Sequence, residues 1–78
     1  MEAYYVRGFS KGALKDYQGA IADCNIAIEI DSKCASAYYV RGIAKIQLKQ
    51  KEGGCIDLSK AGELGYEEAY DIIKEHCQ

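Results

Sequence analysis

Apolar positions along the chain fall into short blocks with near-helical spacing. Tyr5, Phe9 and Leu14 recur in the first block, and Ala20, Ile21, Cys24, Ala27 and Ile28 lie on one helical face of the second. Asp16-Tyr17 punctuates the two. Asp31-Ser32-Lys33 ends the second, with Asp31 or Ser32 able to cap the third helix. The pattern then restarts at Ala35. It predicts helices over 3–15, 18–30, 36–49 and 53–62. A fifth, over 66–76, comes after the Gly62-Glu63-Leu64-Gly65 turn. The Gly53-Gly54 pair weakens the start of the fourth, at roughly 1 kcal/mol per glycine relative to alanine. No strand-like alternation intervenes, so the expected class is all-α.

The blocks repeat. Ala3-Tyr4-Tyr5-Val6-Arg7-Gly8 recurs letter for letter as Ala37-Tyr38-Tyr39-Val40-Arg41-Gly42. The same offset pairs Lys11 with Lys45, Leu14 with Leu48, Lys15 with Lys49, Gly19 with Gly53, Asp23 with Asp57, Ala27 with Ala61 and Glu29 with Glu63. A fixed offset sustained this far points to duplication of one two-helix unit. Such a hairpin cannot bury its apolar face alone, so neighbouring units must stack. Within a unit, Gly8 and Ala20 are small where its helices cross, and Ala27 is small where the second helix meets the next unit. Tyr4, Tyr17 and the aliphatics fill the gaps. The last helix sets Ala69, Ile72 and Ile73 against Glu67, Glu68, Asp71, Lys74 and Glu75, the pattern of a cap over an open end. The organisation expected is one domain over 1–78: repeat one at 3–36, repeat two at 37–64 and a capping helix at 66–77.

These residues make the chain resemble the tetratricopeptide repeat (TPR) family. The family's characteristic places are held by Tyr4, Gly8, Tyr17, Ala20, Ala27 and the loop residue Ser32 in the first unit, and by Tyr38, Gly42, Gly54 and Ala61 in the second. Arg7 and Arg41 stand where the family usually has an aliphatic residue, Lys11 and Lys45 where an aromatic is common, and Ser32 replaces the usual proline. The ending from Lys60 to Cys77 is similar to C-termini of TPR proteins in bacteria of the Bacteroidetes type. The resemblance implies a short right-handed superhelix of antiparallel helix-turn-helix units. It also implies a concave groove, lined by the first helix of each unit, that grips a peptide or partner helix. Mapped by position, the groove residues are Tyr5, Phe9, Gly12, Tyr39, Ile43 and Ile46, with Glu2, Ala13, Ser36 and Gln47 at its edge. Tyrosines on such a surface offer large contact area at low entropic cost. The competing reading is that Tyr5 and Tyr39 pack against each other and neighbouring units. Some family members clamp the acidic C-terminus of heat-shock chaperones with cations and amides. This groove carries Tyr5, Phe9, Val40 and Ile43 instead, which disfavours that partner.

Composition narrows the function further. Seventy-eight residues, 49% apolar, suit a small globular fold. A net charge of −2 without a basic block gives no electrostatic reason to expect nucleic acid or an anionic membrane. No apolar run reaches the roughly 18–20 residues of a membrane span, and no signal peptide pattern precedes the first helix. The expected setting is therefore the cytoplasm by default, with an exported or periplasmic one open for a segment of a longer protein.

Cys24, Cys34, Cys55 and Cys77 show no metal-site spacing, and His76 is the lone histidine. Cys24 lies in an apolar stripe and reads as core, whereas Cys34 reads as an exposed loop residue. Cys55 begins the fourth helix and Cys77 ends the fifth, so an antiparallel hairpin would bring them together. Buried thiols and a disulfide, the latter in an oxidising compartment, are the two alternatives. Arg7 with Asp23, and Arg41 with Asp57, read as register-fixing ion pairs or as cations presented to an acidic ligand. No catalytic constellation, phosphate loop or cofactor motif appears. The functional expectation is a protein- or peptide-binding scaffold and not an enzyme. The alternative is a structural C-terminal cap or self-association segment of a longer repeat protein, with a homodimer through exposed repeat faces.

Overall fold

The structure is a computed structural model and describes residues 2–77. Met1 and Gln78, which belong to the expected 1–78 domain, lie outside the described residues. It is all-α, with five helices among the described residues: α1 (Glu2–Ala13), α2 (Tyr17–Ile30), α3 (Ala35–Gln47), α4 (Lys51–Glu63) and α5 (Glu68–His76). Sequential helices pack on one another throughout, and α1 also meets α3. The elements thus form two hairpins, α1–α2 and α3–α4, with α5 on the far side of α4.

Backbone chemistry sets the boundaries. Lys15 and Lys49, one offset apart, both take φ of 67°. At each, the chain closes α1 or α3 with a paired bond pattern: Lys15 N–H donates to the Gly12 carbonyl and Asp16 N–H to that of Lys11. Lys49 and Gln50 repeat it onto Ile46 and Lys45. This left-handed cap ends the helices at Ala13 and Gln47, two residues earlier than the sequence pattern predicts. Ending α3 early lets α4 begin at Lys51, so Gly53 and Gly54 lie inside its first turns. The third such turn uses Gly65, at φ 106°, with Tyr66 N–H donating to the Ala61 carbonyl. Tyr66 therefore stays in the connection and α5 starts at Glu68.

Asp16 caps α2 by accepting from Gly19 N–H at 3.0 Å. The expectation for α3 is corrected. Its N-cap is Cys34, while the Asp31 carboxylate instead accepts from Lys33 N–H in the turn that closes α2. Cys34 is also buried, against the expectation of an exposed loop thiol, because the α2–α3 turn folds its side chain in beside Cys24, Ala27, Ala37 and Val40.

Small residues allow the close helix crossings. A Cβ on Gly42 would lie 2.8 Å from the Gly54 carbonyl oxygen, and one on Gly54 would lie 2.7 Å from that of Gly42. The α3–α4 crossing therefore brings backbone against backbone. Gly8 in α1 faces Ala20 and Cys24 across the looser first crossing. Two apolar clusters result. Cys24, Ala27, Cys34, Ala37 and Val40 join the two hairpins. Leu58, Ala61 and Ala69, with Ile72 and Ile73, join α4 to α5. Cys55 and Cys77 are joined by a disulfide, their Cα atoms 5.9 Å apart, tying the C-terminus of α5 to the start of α4.

Candidate functional site

The groove positions taken from the sequence come from α1 and α3, and the structure brings most of them together. Phe9, Gly12, Tyr39 and Ile43 line a cleft of about 260 Å³, with Ala13 and Gln47 at its edge and Tyr17, Val40 and Ala44 completing the wall. A second depression of about 140 Å³ adjoins it through Phe9, Tyr39 and Val40. Tyr5, Val6, Ser36 and Tyr66 complete that one. Val40 is the shared buried floor, at 9% exposure, and Phe9 stands at the lip at 62%. No charged side chain lines either depression among the described residues.

Ile46 does not join this surface. Its side chain turns to α4, where it occupies the space a Cβ on Gly54 would need. Glu2, expected at the edge, lies at the start of α1 and does not line either depression. Tyr39 serves the groove and the packing at once. Its ring stacks on Tyr66 with centroids 4.4 Å apart, and burial, reinforced by Tyr66, raises its hydroxyl pKa. Tyr66, like Tyr17, Val6 and Ala44, lines the surface without being among the positions expected from the sequence. It lies in the α4–α5 connection, outside the first-helix positions, and its signal in the sequence is an aromatic immediately after the Gly65 turn.

The paired Arg and Asp residues sit away from the cleft, between the helices of each hairpin. Arg7 Nε and Nη2 donate to Asp23 at 3.0 and 2.9 Å, and Lys11 Nζ adds a contact at 3.2 Å. Arg41 Nε and Nη2 donate to Asp57 at 2.8 Å each, with Lys45 Nζ at 3.1 Å. Both aspartates are buried. Each arginine also lies over a tyrosine ring of its own helix, Arg7 over Tyr4 and Arg41 over Tyr38. The Arg7 guanidinium holds the Asp23 carboxyl below the usual carboxylate range, against the opposing pull of burial. Two donors on one buried carboxylate fix helix register and leave the aspartates closed to a ligand.

Cys24, one of the two cysteines outside the disulfide, is chemically quiet. Burial pushes the Cys24 thiol up to about 12, so it stays protonated and unreactive near neutral pH. Among the described residues, no group of three His, Cys, Asp or Glu side chains is placed to hold a metal ion. Nor is any helix there long and apolar enough to cross a membrane. Comparison with family models, with curated proteins and with solved structures finds no match.

Proposed function

We propose that the chain is a protein-interaction module of the tetratricopeptide kind that holds an apolar peptide segment or partner helix in the α1–α3 cleft. The observation that carries this reading is the uncharged cleft itself, with Phe9 standing exposed over a buried Val40 floor. A large aromatic kept in water beside an apolar concavity gains most when a partner's side chain fills the gap. The 34-residue repeat, the small residues at both hairpin crossings and the matching left-handed turns at Lys15 and Lys49 support the family reading. The absence of cations from the lining favours apolar anchors over an acidic chain end as ligand.

The test is selection of a random peptide library displayed on phage against the intact, disulfide-bonded chain. Enriched peptides should carry two or more apolar or aromatic anchors, and their amide-shift perturbations should map to α1 and α3. Phe9→Asp, at a position exposed enough to spare the fold, should weaken a selected peptide by at least ~30-fold, the scale of a lost interface anchor. Selected peptides that bind Phe9→Asp as tightly as the native chain would rule out the cleft as the binding surface.

A further inference from the structure

One exposed face of α1 is a copy of a face that α3 keeps covered. Ala37, Val40 and Ala44 of α3 are buried, Val40 at 9% exposure, and the cluster around Val40 includes Cys24 and Ala27 of α2. Arg41, its side chain 18% exposed, reaches across the same seam, and its Nη1 donates to the Asn25 side-chain oxygen at 2.8 Å. The residues one offset earlier are Ala3, Val6, Ser10 and Arg7. Three of the four are identical in type, but all are exposed: Val6 at 49% and the Arg7 side chain at 59%. Arg7 commits Nε and Nη2 to Asp23 as Arg41 does to Asp57, and among the described residues its Nη1 has no acceptor. Leu14 follows the same rule, 81% exposed where Leu48 is half-buried.

We infer that this face of α1 docks a further unit of the same repeat, through an α2-type helix. That helix carries small residues where Cys24 and Ala27 stand and a side-chain carboxamide where Asn25 stands. The α2–α3 seam shows what such an occupant looks like, because it is the same interface displaced by one unit. A second intact copy of this chain does not supply it. Its α2 is covered by its own α3, and its α4 is covered by α5, which the Cys55–Cys77 disulfide holds in place. This surface shares no residue with the 260 Å³ cleft and meets the adjoining depression only at Val6, so it stands whether or not the cleft binds a peptide.

The test extends the whole chain by a second copy of residues 1–34 placed ahead of Met1, so that the junction reproduces the native Cys34-to-α3 connection in length. The extended protein should melt in one transition at least ~5 °C above the native chain. Amides of Val6–Ser10 in the original first unit should gain hydrogen-exchange protection comparable with those of Val40–Ala44. Arg7→Ala should lower the melting temperature of the extended protein further than that of the native chain, as its new amide contact is lost. Two separate transitions, or unchanged protection in α1, would overturn the inference. So would concentration-dependent dimerisation of the native chain that Val6→Glu abolishes, since a second copy would then be the occupant.

Discussion

Arg41 and Arg7 occupy the same place in two copies of one unit, yet their replacement should have unequal consequences. Arg41→Met keeps the aliphatic stem and removes the guanidinium. It takes two bonds from Asp57, which is 4% exposed, and one from Asn25 across the hairpin seam. Breaking a buried pair from one side costs about 3–5 kcal/mol. Lys45 remains on Asp57 at 3.1 Å, which places the loss near the lower end, about 3 kcal/mol. For a chain of this size that is a large part of a total stability of roughly 4–12 kcal/mol. It corresponds to a fall in Tm on the order of 15 °C. Arg7→Met removes only the intra-hairpin bonds of a side chain already 59% exposed, so its loss should be distinctly smaller. The assay is urea unfolding followed by far-UV circular dichroism, with the disulfide intact and the slope m compared across variants. The double variant Arg41→Met/Asp57→Leu should recover most of the single loss, because no buried charge is then left facing Lys45 alone. Equal losses for Arg7→Met and Arg41→Met would refute the argument that the second hairpin depends on its arginine for the seam. A double variant no more stable than Arg41→Met would refute the desolvation account.

Three further outcomes are expected from other parts of the fold. Reducing the Cys55–Cys77 disulfide, or replacing both cysteines by serine, should cost about 3 kcal/mol by the loop-closure relation for a separation of 22 residues. Amide exchange should then rise first in α5, whose nine residues are too few to hold a helix in isolation. Lys49→Gly should stabilise the chain by about 0.5–1 kcal/mol, because glycine relieves the left-handed φ of 67° that lysine adopts at a cost; a denaturation midpoint that falls would count against it. Asp23, whose folded pKa is lowered by Arg7, contributes stability that is complete above its unfolded pKa near 4 and is lost as pH falls through its lower folded value. Asp23→Asn should therefore flatten the acid limb of stability against pH between about pH 2 and 5, and an unchanged slope would show that other carboxylates govern it.

Much of this architecture is legible because the repeat announces itself twice, in letters and in backbone. The 34-residue offset locates both hairpins, and the pairing of Lys15 with Lys49 in the sequence reappears as two left-handed turns. What the pattern does not show is that lysine, without the usual glycine, takes that conformation. The expected helices therefore run on to 15 and 49, and the fourth starts late. Cys34 illustrates a different gap. A residue between two helices looks like loop in one dimension, but the turn after α2 is tight enough to carry its side chain into the seam beside Cys24.

First-helix positions alone do not define the groove, and the exceptions share one cause. Ile46 lies on the α3 face that meets Gly54, where the missing side chain of α4 leaves a space that the Ile46 side chain fills. Tyr66 enters the groove wall for the converse reason, since the Gly65 turn swings the connection back over Tyr39. Both depend on contacts between helices rather than on periodicity within one. The same dependence separates the two arginines: identical hexapeptides have different surroundings because one has a preceding hairpin against it and the other does not. In a stacked repeat the sequence of a unit specifies its faces, and the neighbour decides which of those faces remain open for binding.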